Sequence, residues 1–167
     1  MTGAAIHRVS QFWRHSSARV SALEIRRAEA ILGPTLLPFF LELPVNDRRH
    51  GLDVLATIDG TVSNPPNVLQ QAALLHDMGK AGAALSVLER SVTVFLGALS
   101  PRLLRAALRL RPGLGRRYAI YAAHARLGAE RLRAVGAAEL AAVIAEHHSE
   151  NPTLEVTSAL QRADRVN

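Results

Sequence analysis

The sequence contains no cysteine, so it can form no disulfide, hold no metal ion through thiolates and use no cysteine nucleophile. Aromatic residues make up 4% of the 167 residues and hydrophobic residues 49%, which predicts an aliphatic core within one domain. No apolar run approaches the roughly 18 residues that a membrane-spanning helix needs. The N-terminal stretch also lacks the apolar region of a signal peptide. Together these absences favour a soluble cytoplasmic protein.

Lysine is almost as scarce as cysteine. Lys80 is the only lysine in the chain, so nearly all of the basic charge, with a formal net charge of +6, comes from arginine. This lysine ends the segment LLHDMGK at residues 74–80, in which His76 and Asp77 directly follow an apolar run. Three polar side chains at the end of a core-facing element indicate a functional site.

The hydrophobic pattern is helical almost throughout and predicts an all-α fold. Residues 1–18 are polar, basic and weakly periodic, which predicts a loose basic N-terminal arm, and residues 19–167 form the predicted domain. Alternation typical of strands is confined to short segments inside helical registers. The predicted helices cover about residues 22–32, 35–43, 47–63, 66–78, 84–99, 101–110, 116–135 and 137–148, and a last helix ends near residue 164.

Several helix ends carry recognisable signals. Ser21 is the predicted N-cap of the first helix, and Asn46 or Asp47 is the predicted N-cap of the third. Gly79 is predicted to end the helix that precedes it, because glycine commonly occupies the position after a helix. We expect a turn near Arg126 to divide the segment over residues 116–135.

Histidine is concentrated at helix ends and on inward faces. Neutral imidazole and carboxylate groups together suit Zn, Mn, Fe or Mg. A single histidine at a helix end is commonly a cap or a hydrogen-bonded core residue, but five on separate elements beside two aspartates favour a metal site. The other two histidines, His7 and His15, lie in the predicted arm and are interpreted as surface residues. The candidate ligands are His50, His76, Asp77, His124, His147, His148 and Asp164.

Five phrases occur in an order and at spacings that resemble the HD superfamily of metal-dependent phosphohydrolases. AALLHDMGK resembles the HD motif of the family, in the variant followed by Gly-Lys. RRHGLDVL, HARLGAERLRAVG, IAEHHSE and LQRADRVN resemble the segments that supply the remaining ligands. The resemblance covers roughly residues 45–167 and implies that residues 19–167 form a single compact helical HD domain.

The resemblance also implies a role for each candidate residue. The implied cofactor is a divalent metal (Mn, Fe, Co, Zn or Mg), bound as one or two ions that activate a water molecule. Asp77 and Lys80 would act in catalysis, Asp77 as the bridge between the ions and Lys80 as the group that holds a phosphate oxygen of a nucleotide or related phosphoester. Lys80 could instead be a favourable charge at a helix C-terminus. The implied ligands are His50, His76, Asp77 and Asp164 for one ion, and His124, His147, His148 and the shared Asp77 for the second.

The sequence departs from one branch of the family and leaves two other functions open. The branch that cleaves cyclic di-GMP carries Gly-Tyr-Pro soon after the double histidine, whereas this chain reads SENPTLE. That difference argues against cyclic di-GMP as the substrate. The same ligand set is compatible with an HD-type di-iron oxygenase, and also with a non-catalytic regulatory module that binds a metal or a nucleotide. Metal identity discriminates the oxygenase, because its chemistry requires iron.

The segment from residue 90 to residue 129 contains no acidic residue. Its arginines could form a solvated helix face, or they could bind a phosphate-rich substrate, an anionic membrane surface or an acidic partner. Aromatic residues are sparse between them, which argues against specific nucleic-acid binding. The arginines concerned are Arg102, Arg105, Arg109, Arg111, Arg116 and Arg117.

Overall fold

The computed structural model of the protein describes residues 19–167. Within that range the chain forms nine α-helices and one 3-10 helix, with no strand, which confirms the all-α prediction. The predicted arm over residues 1–18 lies outside the described residues. The helices are α1 (Ala22–Leu41), α2 (Val45–Thr61), α3 (Asn67–Leu75), the 3-10 helix (Met78–Lys80), α4 (Val87–Leu99), α5 (Pro101–Leu110), α6 (Pro112–Ala122), α7 (His124–Ala134), α8 (Ala138–Glu146) and α9 (Glu155–Asp164).

Helix α1 begins where the sequence predicts and bends at Gly33. Ser21 is the N-cap, and its hydroxyl accepts from the Glu24 amide while the Glu24 carboxylate accepts from the Ser21 amide, which is a complete capping box. Gly33 has φ of 63° and ψ of −179°, a conformation that favours glycine, and Pro34 follows it. The two helices predicted on either side of Gly33 therefore meet at this residue, where the backbone is not helical.

The predicted N-cap of α2 is wrong. The helix begins at Val45, and Pro44 occupies the N-cap position without a side-chain hydrogen bond. Asp47 lies in the first turn, where its buried carboxylate accepts a hydrogen bond from Arg90 at 3.3 Å. An acidic residue in the first turn also interacts favourably with the positive end of the helix dipole.

The turn expected near Arg126 falls at Ala123 instead. Ala123 has φ of −99° and ψ of 8°, and its amide donates to the carbonyls of Ala119 and Ile120 at 3.1 and 3.2 Å. These hydrogen bonds close α6 with a tight turn. His124 therefore becomes the first residue of α7, where it is 5% exposed.

The hydrophobic core is built by α1, α2, α3, α7, α8 and α9, and it is mainly aliphatic, as predicted. The helices α4, α5 and α6 contribute no member to this core cluster among the described side chains of residues 88–122. In this α4–α6 lobe, α4 packs against α5, α5 against α6, and α6 against the 3-10 helix and α7. No helix within residues 19–167 is long and apolar enough to cross a lipid bilayer. The largest fully buried side chains include Phe40, Leu55, Ile58, Leu69, Leu75, Met78, Leu132 and Ile144.

Gly79 has a different role from the helix stop that the sequence predicts. Helix α3 already ends at Leu75, and Gly79 lies within the 3-10 helix without a positive φ. A Cβ atom at Gly79 would lie 2.0 Å from the carbonyl oxygen of His124 and 2.9 Å from the amide nitrogen of Gly128. Glycine is therefore required because the backbone of α7 passes directly against this position.

We expect Gly79→Ala to destabilise the protein by about 3 kcal/mol or more, the upper end of overpacking effects, because backbone atoms must move to admit the methyl group. Gly60→Ala is the matched control, since a Cβ in that part of α2 meets nothing within 4 Å. The control should be neutral or stabilising by up to about 1 kcal/mol, the helix preference for alanine over glycine. Urea unfolding measures both, and equal midpoints for the two variants would reject the close-approach account.

Candidate metal centre

The segment after α3 holds its polar side chains between buried apolar neighbours. His76 takes the C-cap position of α3, and Asp77, with φ of −95° and ψ of 4°, turns the chain into the 3-10 helix. Leu75 and Met78 on either side are fully buried. As a result, His76 and Asp77 are only 2% and 6% exposed, and their orientation is fixed by the core.

One cluster of candidate ligands joins α2, the end of α3 and the end of α9. Its members are His50, His76 and Asp164. Asp164 Oδ1 lies 2.8 Å from His50 Nε2 and 3.7 Å from His76 Nε2. The ligand atoms of all three residues lie within 4.8 Å of one another, a spacing that could accommodate one metal ion.

A second cluster joins the 3-10 segment, the start of α7 and the end of α8. Its members are Asp77, His124, His147 and His148, again with ligand atoms within 4.8 Å of one another. The Nε2 atom of His124 lies 3.3 Å from that of His147 and 3.0 Å from that of His148. His148 is the exposed member of this cluster, whereas the other three residues are buried. The structure thus brings together all seven residues that the sequence analysis selects as ligands, in two groups.

Asp77 connects the two clusters through its two carboxylate oxygens. Oδ2 lies 3.6 Å from His76 Nε2 in the first cluster, and Oδ1 lies 3.4 Å from His124 Nε2 in the second. Each oxygen therefore faces a different cluster. This is the arrangement that a carboxylate bridging two metal ions requires.

Three of the histidines are oriented by their own backbone. His76, His124 and His147 each place Nδ1 against the carbonyl oxygen three residues earlier, at 3.0, 2.7 and 2.7 Å. A carbonyl oxygen only accepts, so Nδ1 must carry the proton, and in a neutral ring Nε2 then presents a lone pair. The facing lone pairs of His124 and His147, 3.3 Å apart, repel each other unless a positive charge lies among them. These residues fit a metal ion.

Burial keeps three histidines of the two clusters neutral, namely His76, His147 and His148. Burial, reinforced by the charge of His76, lowers the pKa of His147 to about 3. Burial is also the main cause that lowers the pKa of His76, and burial together with His124 lowers the pKa of His148. Neutral imidazole is the form that binds a metal, so these rings are ready to ligate at neutral pH.

The carboxylates of the site are ionised in spite of their burial. Burial alone would raise the pKa of Asp77, but His76 and Lys80 outweigh it and hold that pKa well below its usual value. The pKa of Asp164 is likewise lowered, since its hydrogen bond with His50 and the nearby His76 overcome the effect of burial. For His50, burial works to lower the pKa, but the Asp164 hydrogen bond prevails and raises it.

Lys80 directs its ammonium group into the site. Its Nζ donates to Asp77 Oδ2 at 2.6 Å and lies 5.4 Å from the ring centroid of Tyr121. The guanidinium of Arg90 lies 5.5 Å from the same ring. Sequence reasoning assigns no role to Tyr121 or Arg90. The only sequence signal is that Tyr121 precedes His124 by three residues, which makes its carbonyl the acceptor for that ring.

The family model for the HD domain matches residues 50–167, a span that includes every residue of both clusters. The chain therefore belongs to the HD domain family, as the sequence motifs indicate. HD domains bind divalent metals and are commonly metal-dependent hydrolases. Comparisons with curated proteins and with solved structures find no match for this chain.

Proposed function

We propose that this protein is a metal-dependent phosphohydrolase that acts on a nucleotide or a related phosphoester. The observation that carries the proposal is the placement of Asp77 between two ligand clusters, with one oxygen toward each. A structural metal site is closed by four ligands around one ion, whereas two adjoining clusters that share a carboxylate are typical of hydrolytic two-metal sites. The cluster with Asp77, His124 and His147 also includes the exposed His148, which gives that side access to solvent.

The bound ions would lower the pKa of a water molecule and stabilise the negative charge that develops on the phosphoryl oxygens. The residues themselves hold the ligand geometry. Asp77 and Asp164 supply negative charge that is ionised at neutral pH, and the Nδ1 hydrogen bonds fix the rings of His76, His124 and His147. No protein nucleophile is needed, which agrees with the absence of cysteine from the chain.

Two cations beside the clusters support an anionic substrate. Lys80 and Arg90 lie 5.4 and 5.5 Å from the centroid of Tyr121, whose ring centroid lies 6.0 Å from that of His124. Arg90 also pairs with Asp47 at 3.3 Å. Lys80 is a compact point charge suited to a phosphate oxygen, and its hydrogen bond to Asp77 places it next to the proposed bridge. We assign to Lys80 the role of binding the reacting phosphate.

We expect the metal-depleted protein to take up one or two divalent transition-metal ions per chain, and to become more stable as it does. At a metal concentration about 100 times the Kd, binding adds about 2.7 kcal/mol. For a domain of this size, that corresponds to a rise in Tm of roughly 5–10 °C. Elemental analysis and thermal melts with Mn²⁺ measure these effects. His147→Gln should reduce the metal content and the metal-dependent rise in Tm. His15 is assigned by sequence to the arm, so His15→Gln should change neither quantity.

A phosphoester panel with Mn, Co, Mg, Fe and Zn then tests turnover. Phosphate release that depends on the metal and is lost in His147→Gln is the expected result. Failure to bind any metal would contradict the proposal. Metal binding without hydrolysis would favour the regulatory module, and oxygen consumption seen only with reduced iron would favour the di-iron oxygenase.

A further inference from the structure

The outward face of α4 is apolar and exposed. Leu88, Val92, Phe95 and Leu99 recur at intervals of four, three and four residues, so they share one face of the helix. Their exposed fractions are 73%, 45%, 67% and 64%. No charged residue lies between Arg90 and residue 102 in the sequence. A contiguous exposed apolar patch of this kind marks an interaction site rather than an ordinary protein surface.

The inner side of α4 is only partly apolar, so the outer stripe carries most of the apolar surface of the helix. Thr93 is buried, with its hydroxyl bonded to the carbonyls of Glu89 and Arg90 at 2.9 and 3.0 Å, while Leu96 is partly buried. A cavity of about 350 Å³ between α4 and α5 is lined in part by Thr93 and Leu96, and also by Val92 at the edge of the outer stripe. The outer stripe has no cover from the part of the chain that the structure describes.

The neighbouring helices α5 and α6 carry exposed arginines without acidic partners. Five of them are exposed and form no ion pair with any residue in the 19–167 range. Arg117 differs, because its guanidinium pairs with both oxygens of Glu89, at 3.0 and 2.5 Å, and fastens α6 to the start of α4. Leu103 and Leu110 are exposed among the arginines of α5, at 53% and 84%. The five arginines are Arg102, Arg105, Arg109, Arg111 and Arg116.

The positive charge of the unpaired arginines indicates which kind of partner can bind this surface. A second copy of the chain, docked through α4, would bring the same unpaired arginines of both copies together, and like charges in an interface are unfavourable. The segment over residues 1–18 contains Arg8 and Arg14 and no acidic residue, so it cannot neutralise them either. A lipid surface with anionic headgroups fits both the apolar stripe and the unpaired arginines. Its acyl region can receive the apolar side chains, and its headgroups attract arginine.

We propose that the outward face of α4 and the arginines of α5 and α6 form a peripheral docking surface for membranes that contain anionic lipids. The α4–α6 lobe is suited to this role because it stands outside the hydrophobic core of the domain. Contact with a membrane therefore covers apolar surface without opening the core. This inference concerns a different surface from the metal clusters and does not depend on the proposed hydrolysis.

Vesicle flotation with the full chain tests the proposal. Vesicles of equal parts phosphatidylglycerol and phosphatidylcholine should bind the protein, and vesicles of phosphatidylcholine alone should not. Raising the salt from about 0.1 M to about 1 M shortens the Debye length from about 10 Å to about 3 Å and should weaken binding at least tenfold. The variant with Arg102, Arg105 and Arg109 changed to glutamine should weaken binding roughly 10- to 100-fold at low salt.

Two further variants distinguish binding through this surface from a general effect of the net charge of the protein. A control with Arg19, Arg26 and Arg133 changed to glutamine removes the same charge from exposed positions outside the lobe and should change binding less than twofold. Phe95→Ser with Leu99→Ser should weaken vesicle binding about tenfold while leaving thermal stability unchanged, because both side chains are exposed.

Three results would overturn the proposal. The first is equal binding to neutral and anionic vesicles, and the second is an equal loss of binding in the arginine control. The third is association with protein in place of vesicle binding. A dimer in sedimentation equilibrium that Phe95→Ser dissociates would identify a second copy of the chain as the partner, and binding to polyglutamate would identify an acidic protein.

Discussion

Replacement of Asp77 by asparagine is expected to lower phosphoester turnover by at least about 10³-fold, more than the loss of one preorganised donor normally costs. Asparagine has nearly the same shape, so the packing around this buried residue is retained. Its amide is neutral, however, and only one of its two polar atoms can accept. It can therefore no longer present an anionic oxygen to His76 and to His124 at the same time, as Asp77 does.

Metal content distinguishes loss of the bridge from loss of a single ligand. We expect the purified Asp77→Asn protein to hold fewer ions per chain than the wild-type protein, measured by elemental analysis after the same metal loading. Asp59→Asn is the control, because Asp59 pairs with Arg27 outside both clusters and its removal deletes the same charge. If Asp77→Asn retained full metal content and turnover, the bridging role would be wrong.

Interactions between near neighbours in the sequence made much of the fold predictable. The capping box of Ser21 and Glu24 depends on residues three apart, so the sequence alone identifies where α1 begins. The inner stripe of α3 is equally local, because Leu69, Ala72 and His76 follow helical spacing and all are buried. The same periodicity predicts the all-α fold.

A contact between distant segments accounts for one wrong prediction, and a turn without a sequence signal accounts for another. Gly79 follows a helical pattern, so sequence reasoning interprets it as a helix stop, but the carbonyl of His124 that demands glycine comes from α7. The break at Ala123 is marked by neither glycine nor proline. There, the turn is stabilised by hydrogen bonds to the carbonyls of Ala119 and Ile120, which any residue with an amide could make.

The candidate site was accessible from the sequence for a different reason. Its ligands are chemically distinctive, and the resemblance to the HD family implies which of them belong together. The sequence does not reveal which oxygen of Asp77 faces which cluster, nor that Lys80 and Arg90 both lie within 5.5 Å of the Tyr121 ring centroid. It also treats Arg117 like the other arginines, although the folded chain pairs it with Glu89, 28 residues away.

Replacement of Lys80 by methionine is expected to leave metal content unchanged and to lower turnover by about 10²–10³-fold, the cost of one preorganised transition-state donor. Methionine preserves most of the unbranched stem and removes the ammonium that lies 2.6 Å from Asp77 Oδ2. Lys80→Arg should recover only part of the rate, since a planar guanidinium retains the charge but not the compact geometry of the ammonium. Initial rates at saturating metal, with elemental analysis of each variant, measure both quantities.

The competing account makes Lys80 a favourable charge in the last turn of the 3-10 helix. Arg133 provides the matched comparison, because it is an exposed basic residue in the last turn of α7, away from both clusters. Arg133→Met should cost about 0.3–1 kcal/mol of stability, the usual value of a helix-end charge, and leave turnover unchanged. If Lys80→Met behaves in the same way, with a small loss of stability and full turnover, then Lys80 serves the helix end and the phosphate role that we assign to it is wrong.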